Sequence, residues 1–152
     1  MQEGISIRPP RADEGERLRA IARAAKAYWG YDEDWVHGWA AQGDFSPEAL
    51  AARPVLVAEL GGHAIGFASL ILEGETCVLD DLWIDPNWIG RGIGTRLFEA
   101  CAERVRDLGA TRMEWEAEPN AVGFYEKLGG RYLRESEPTE LGRVIPVMGL
   151  DL

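Results

Sequence analysis

V-L-D-D-L-W-I-D-P-N-W-I-G-R-G-I-G-T-R-L, Val78 to Leu97, reads as a β-strand over Val78 to Ile84, a turn opened by Asp85 and Pro86, and a glycine-spaced entry into a long helix. Gly90, Gly92 and Gly94 lack a Cβ, so their backbone N–H groups can approach an anion closely. The helix behind them adds roughly half a positive charge at its N-terminus. A dinucleotide fingerprint would need glycine where Thr95 stands, and a Walker loop would need Gly-Lys-Ser/Thr; neither is present. Two readings stay open for the glycine run alone: a phosphate cradle, or a tight strand-to-helix connection without a ligand.

Outward on the C-terminal side, apolar residues at 93, 97, 101, 105 and 108 form one stripe, which predicts a helix from about Gly90 to Leu108 stopped by Gly109. Thr111 to Ala117 is expected as a strand, parallel to Val78–Ile84 because the crossover between them is right-handed. A helix over Asn120 to Leu128 and a strand starting at Arg131 to Arg134 follow. Glu135 to Gly142 is a polar loop, and Val144 to Leu150 closes the sheet.

On the N-terminal side, Gly4 to Pro9 suits a first strand, and Asp13 to Lys26 a helix capped by Asp13. A second helix is expected over Asp32 to Ala41. Between them lies Tyr28-Trp-Gly-Tyr-Asp-Glu-Asp-Trp35, with Trp29 and Trp35 expected in the core and the role of its acids open. Ser46 and Pro47 start a short helix ending before Pro54. Val55 to Leu60 and Ala64 to Leu72, joined by Gly61-Gly62-His63, make with Val78–Ile84 an antiparallel meander.

At 152 residues and 46% hydrophobic content the chain suits one domain, 1–152. Its apolar runs fall short of a membrane span, and Met-Gln-Glu-Gly-Ile lacks a secretory pattern, so the expected location is the cytoplasm. A net charge of −10 argues against nucleic acid and anionic membranes and favours a cationic acceptor. Cys77, Cys101, His37 and His63 show no metal spacing, and no metal is expected; the cysteines read as buried reduced thiols, and His63 as a hairpin-turn residue.

A second motif, Glu118-Pro-Asn-Ala-Val-Gly-Phe-Tyr-Glu-Lys-Leu-Gly-Gly130, joins the first. Together they resemble the acetyl-CoA-dependent N-acetyltransferase superfamily (GNAT). There, Arg/Gln-x-x-Gly-x-Gly/Ala heads a helix, as in Ile89-Gly-Arg-Gly-Ile-Gly94, and Asn-x-x-Ala-x-x-x-Tyr-x-x-x-Gly-Phe or a shortened variant follows, as in Asn120 to Tyr125 with Gly129-Gly130. Residues 78–132 carry the resemblance. Ile89 replaces the usual Arg or Gln, leaving its backbone N–H, and Gly130 replaces Phe.

The resemblance implies an α/β (α+β) GNAT fold: one mixed, mostly antiparallel sheet of six to seven strands, helices on both faces, and a splayed parallel pair at the cofactor cleft. It implies an acetyl-CoA-dependent N-acetyltransferase acting on a primary amine of a small molecule or peptide by direct attack. Coenzyme A would be held by Ile89, Gly90, Arg91, Gly92, Ile93, Gly94 and Thr95, with positive charge from Arg91 and Arg96. The main chain of Leu82, Trp83 and Ile84 would pair with the pantetheine arm. Asn120 would bind the cofactor or cap a helix, or both, and Tyr125 would donate to the leaving sulfur or stand in the core beside Phe124.

Asp80 and Asp81 point to opposite faces of an otherwise apolar strand, which makes each a candidate base; Asp32, Glu33 and Glu116 are the alternatives. Leu79-Asp-Asp-Leu-Trp-Ile84 also looks like the Leu-Glu-Asp-Ile-Tyr-Val segment of diamine acetyltransferases. Arg143 is a surface arginine or faces the acceptor. The rival function is a non-catalytic acyl-CoA sensor of the same fold. A nucleotide-binding domain is disfavoured by the meander before the glycines. Homodimerisation is left open.

Overall fold

Where the glycines fall decides the turns of this chain. The computed structural model describes residues 4–139 and 142–152. Seven strands form one sheet in the order β1-β2-β3-β4-β5-β7-β6. They are β1 (Ile5–Arg8), β2 (Val55–Leu60), β3 (His63–Glu73), β4 (Thr76–Ile84), β5 (Arg112–Glu116), β6 (Arg131–Glu135) and β7 (Pro146–Asp151), with helices α1 (Gly15–Tyr28), α2 (Glu33–Gln42), α3 (Pro47–Ala52), α4 (Ile93–Asp107) and α5 (Val122–Lys127). Residues 140 and 141 of the expected Glu135–Gly142 loop lie outside the described residues.

The chain divides into two compact units, one running to Leu70 and again over Asp81–Cys101, the other formed by Ile71–Asp80 and Ala102–Leu152. In the first, β1 pairs antiparallel with β2, Ile5 opposite Leu60, and β2 with β3, Leu60 opposite His63. The β2–β3 turn is therefore Gly61-Gly62 alone, both at positive φ (59° and 83°), the backbone a two-residue hairpin demands. His63 is the first residue of a strand, not part of the turn. Leu18, Ile21, Ala22, Leu50, Val55, Val57, Ala64 and Phe67 form the core here, with Trp39, Phe45 and Trp83 packed on it.

Several local expectations change in this unit. Glu14, not Asp13, stands at the N-cap position of α1, and it makes no side-chain cap there, its carboxylate being held by Arg8 at 2.7 Å and by the Arg11 N–H at 3.1 Å. Ser46 caps α3 as expected, accepting from the Ala49 N–H at 3.2 Å, and the structure adds a cap at Asp32, which accepts from the Trp35 N–H at 3.1 Å. Trp29 is 37% exposed and Trp35 half-buried, so neither is a core residue. The apolar stripe of α1 ends before them and spends its core positions on Leu18, Ile21, Ala22 and Ala25.

In the second unit β4 and β5 are parallel, as the crossover requires, with Thr76, Cys77 and Val78 opposite Arg112, Met113 and Glu114. The paired register stops there, while β4 itself runs on to Ile84. β7 pairs antiparallel with both β5 and β6. It thus sits inside the sheet, and β6 is the edge; the expectation that the last strand closes the sheet is wrong. Ile93, Leu97, Cys101 and Val105 of the helical stripe are buried, but Leu108 is 40% exposed, since it lies past the last turn of α4. Gly130 explains its departure from the usual Phe: a Cβ there would stand 2.8 Å from Trp115 Cζ2 and 3.0 Å from the Tyr125 carbonyl oxygen.

Candidate active site

The turn that leads β4 into α4 is pinned before the glycines begin. The Asp85 carboxylate accepts from the Asn87 N–H at 3.0 Å and from Arg17 at 2.8 Å, and its own N–H donates to the Ile65 carbonyl at 2.9 Å. Arg17 also holds the Ala64 carbonyl at 3.0 Å and 2.9 Å, so α1, β3 and the turn share one arginine. Pro86–Trp88 then forms a single 3₁₀ turn.

Ile89, Gly90, Arg91 and Gly92 follow, all exposed. Gly90 and Gly92 have φ of 84° and 78°, a left-handed conformation that side chains rarely adopt, and a Cβ on Gly90 would point into open space. The first turn of α4 reads Ile93-Gly94-Thr95-Arg96, free of acids, at the positive end of a 15-residue helix. This exposed backbone fits a pyrophosphate group such as that of coenzyme A. Two expectations are modified. The Ile89 N–H already donates to the Pro86 carbonyl at 3.4 Å, and Arg96 turns to the Ile5 carbonyl at 2.9 Å. Arg91, its guanidinium 4.7 Å from the Trp88 ring centre, is the arginine left beside the loop.

Leu82, Trp83 and Ile84 are half-buried at the end of β4. Gly66 lets them lie against β3, since a Cβ there would meet the Trp83 carbonyl oxygen at 3.0 Å and Ile84 Cδ1 at 2.9 Å. Asp81 is held by the Ser69 hydroxyl at 2.5 Å, the Trp83 indole N–H at 3.1 Å and Arg53 at 3.4 Å. Sequence reasoning missed Ser69 and Arg53. A serine inside the apolar run of β3 was the available signal for the first; nothing local marks the second. Asp80 is exposed, so the cost of burying a carboxylate, which drew attention to it, does not apply.

Asp80, Asn120 and Tyr125 belong to the second unit. Tyr125 is 8% exposed, its ring 5.0 Å from that of Trp115 and 5.1 Å from that of Phe124. Its carbonyl accepts from Leu128 at 3.1 Å and from Gly130 at 2.9 Å, which ends α5 and fixes the backbone that carries the ring. Asn120 sits in a 3₁₀ turn, Pro119–Ala121, and its amide donates to Glu118 at 3.5 Å. Ala121 stands at the N-cap of α5, so Asn120 does not cap that helix. Arg143 pairs with Glu118 at 3.7 Å. Cys77 and Cys101 are buried thiols; burial first, then Glu73, pushes the Cys77 thiol up, away from nucleophilic use.

Comparison with known proteins adds an independent line. A family described as Acetyltransferase (GNAT) family matches residues 18–130. The chain is 35% identical to the peptidyl-lysine N-acetyltransferase YjaB of Salmonella typhimurium, over 96% of this chain and 97% of that one. A GCN5-related N-acetyltransferase from Rhodopseudomonas palustris superposes with a TM-score of 0.82 at 27% identity, covering 100% of this chain and 98% of that one. The PaiA N-acetyltransferase of Thermoplasma acidophilum, solved in complex with coenzyme A, superposes with a TM-score of 0.81 at 21% identity, covering 97% and 99%.

Proposed function

Because the chain belongs to the GNAT acetyltransferase family and is an acetyl-CoA-dependent acyltransferase, we infer that it acetylates a primary amine, on a small molecule or a peptide, by direct attack on the acetyl carbonyl. The observation that carries this reading is the exposed loop with Gly90 and Gly92 in left-handed backbone at the head of α4. The domain is a single acetyltransferase domain working in the cytoplasm.

Bound acetyl-CoA supplies the acetyl group as an activated thioester. Backbone N–H groups from Gly90 to Thr95, with the Arg91 guanidinium, hold its pyrophosphate, and Ile89 bounds the loop. The main chain of Leu82, Trp83 and Ile84 orients the pantetheine arm and offers an N–H to the carbonyl oxygen. Asn120 adds a side-chain amide. The Tyr125 hydroxyl donates a hydrogen bond to the departing sulfur; full proton transfer from a tyrosine to a thiolate would be uphill by about 2 kcal/mol at ordinary pKa values. Asp80 draws in the ammonium and passes its proton to water. Asp81, already holding Ser69, Trp83 and Arg53, is second choice for that role. The peptidyl-lysine activity named for the YjaB relative makes lysine peptides the first acceptors to try.

The test is acetyl-CoA-dependent thiol release against lysine peptides, peptide N-termini, polyamines and aminoglycosides, followed by pH profiles of Asp80→Asn and Asp81→Asn. A cationic acceptor should be best, and the Asp80→Asn rate should fall about tenfold or more at neutral pH and partly recover as pH rises and free amine accumulates. An anionic best acceptor would overturn the electrostatic argument. Tight acetyl-CoA binding without release toward any amine would favour the sensor.

A further inference from the structure

Lys26, in the last turn of α1, carries its ammonium among four aromatic rings of the first unit. Its Nζ lies 4.5 Å from the ring centre of Tyr31, 5.3 Å from Trp39, 5.8 Å from Trp83 and 5.9 Å from Trp35. The rings brace one another. Tyr31 stacks on Trp35 at 5.6 Å, Trp35 on Trp39 at 6.4 Å, and Trp39 meets Trp83 edge to face at 5.5 Å. Trp39 and Trp83 pack on the core, and the Trp83 indole is tied to Asp81 at 3.1 Å, so two walls are set by the fold. All four rings and Lys26 are only half-buried, and the exposed acids Asp32, Glu33 and Asp34 stand between Tyr31 and Trp35.

Ring faces attract a cation through their quadrupole, most strongly when the ammonium is partly desolvated. The same attraction favours the protonated form and opposes loss of the proton. A nitrogen that is to attack an acetyl group must lose that proton. The cage is therefore unsuited to the reacting amine and suited to another cation on the same molecule.

We propose that the rings of Tyr31, Trp35, Trp39 and Trp83 form a subsite for a second, non-reacting alkylammonium group of the acceptor, with the Lys26 ammonium as its resident occupant, displaced when such an acceptor binds. This rests on the function inferred above, because Trp83 belongs to the stretch of β4 assigned there to the cofactor. The four-carbon stem of Lys26 lets its head leave without moving α1.

Tryptophan fluorescence of the full chain, titrated with tetramethylammonium chloride against sodium chloride at equal ionic strength and without cofactor, tests the cage directly. Lys26→Met should bind saturably, with an apparent Kd about tenfold below wild type, and adding Tyr31→Leu should reverse most of that gain. Lys26→Gln replaces Lys26→Met should the latter lose its melting transition. The second arm compares KM for pentylamine and 1,5-diaminopentane, and for lysine peptides without and with a second lysine. Lys26→Met should raise the ratio of single-cation to double-cation KM about tenfold in one pair, and which pair responds separates a small diamine from a peptide. A folded Lys26 variant without saturable tetramethylammonium binding, or with both ratios unchanged, overturns the proposal. Failure of acetyl-CoA to bind in a separate calorimetric titration would instead sink the cofactor reading and leave the fluorescence result standing.

Discussion

The two units of the chain differ in how far the arginines of their ion pairs are shielded. In the first, carboxylates are worked into the packing: Glu14 is held by Arg8 at 2.7 Å, Glu59 by Arg8 and by Arg11 at 2.9 Å, Asp85 by Arg17 at 2.8 Å, and Asp81 by Arg53 at 3.4 Å. In the second, the interior is Met113, Trp115, Met148 and Tyr125; Glu114 is shielded like the carboxylates of the first, but Arg134, which pairs with it at 2.8 Å, and Arg131, which pairs with Asp151 at 2.6 Å, are exposed, whereas the first unit's Arg8 is shielded. The difference limits what net charge can say about substrate. Of the acids behind the −10, Glu14, Glu59, Asp81 and Asp85 are engaged in structure and Glu114 and Glu118 face arginines. Asp32, Glu33, Asp34 and Asp80 are exposed.

If the first unit supplies the phosphate cradle and the second the proton donor, substitutions in each should fail differently. Gly92→Glu puts a carboxylate and a Cβ at a backbone φ of 78°, and acetyl-CoA affinity by calorimetry should fall beyond detection, with the melting temperature lowered by a few degrees for roughly 1–2 kcal/mol of backbone strain. Unchanged affinity in the folded variant would remove the loop from the cofactor site. Tyr125→Phe removes a hydroxyl from a ring already braced by Trp115 and Phe124; turnover should drop by about 10²–10⁴ while acetyl-CoA affinity holds. A wild-type rate would return Tyr125 to the core and leave the second unit without a proton donor.

The smallest effect concerns stability alone. The Arg8 hydrogen bonds, ahead of the Arg11 N–H, hold the Glu14 carboxyl below the usual range. A folded pKa below the unfolded value of about 4.3 means that this stability is present above that pH and is lost as pH falls through the folded value. Glu14→Gln should cost about 2 kcal/mol at pH 7 and progressively less as pH falls below about 4.3, and thermal melts through that range should show a flattened acid limb. A parallel downward shift at every pH would mean that shape, not charge, is what Glu14 contributes to the first unit.

Much of this was legible residue by residue. Gly61-Gly62, the Asp85-Pro86 turn, Gly90 and Gly92, and the cap Ser46 each follow from backbone freedom or from a side chain within three residues. The positions of Trp29, Trp35 and Leu108 were misread because periodicity tells which residues are apolar and not which of them another element covers. Asp13 was misread as a cap because α1 starts one residue later than its spacing suggests, and of the two roles left open for Asn120 the cap is ruled out, because α5 starts after Ala121 and the Asn120 amide turns to Glu118.

The sequence by itself determined the strand-turn-helix at residues 78–97, the order of the elements and the family motifs, since these depend on local conformational preference and on chemistry carried within one stretch. Only the tertiary structure decided that β7 lies inside the sheet, that Ser69 and Arg53 take up Asp81, that Trp115 needs glycine at 130, and that Lys26 stands among four rings. Those pairings join residues far apart along the chain. Their geometry comes into being only when burial of the core brings the elements together, and no spacing along the sequence encodes it.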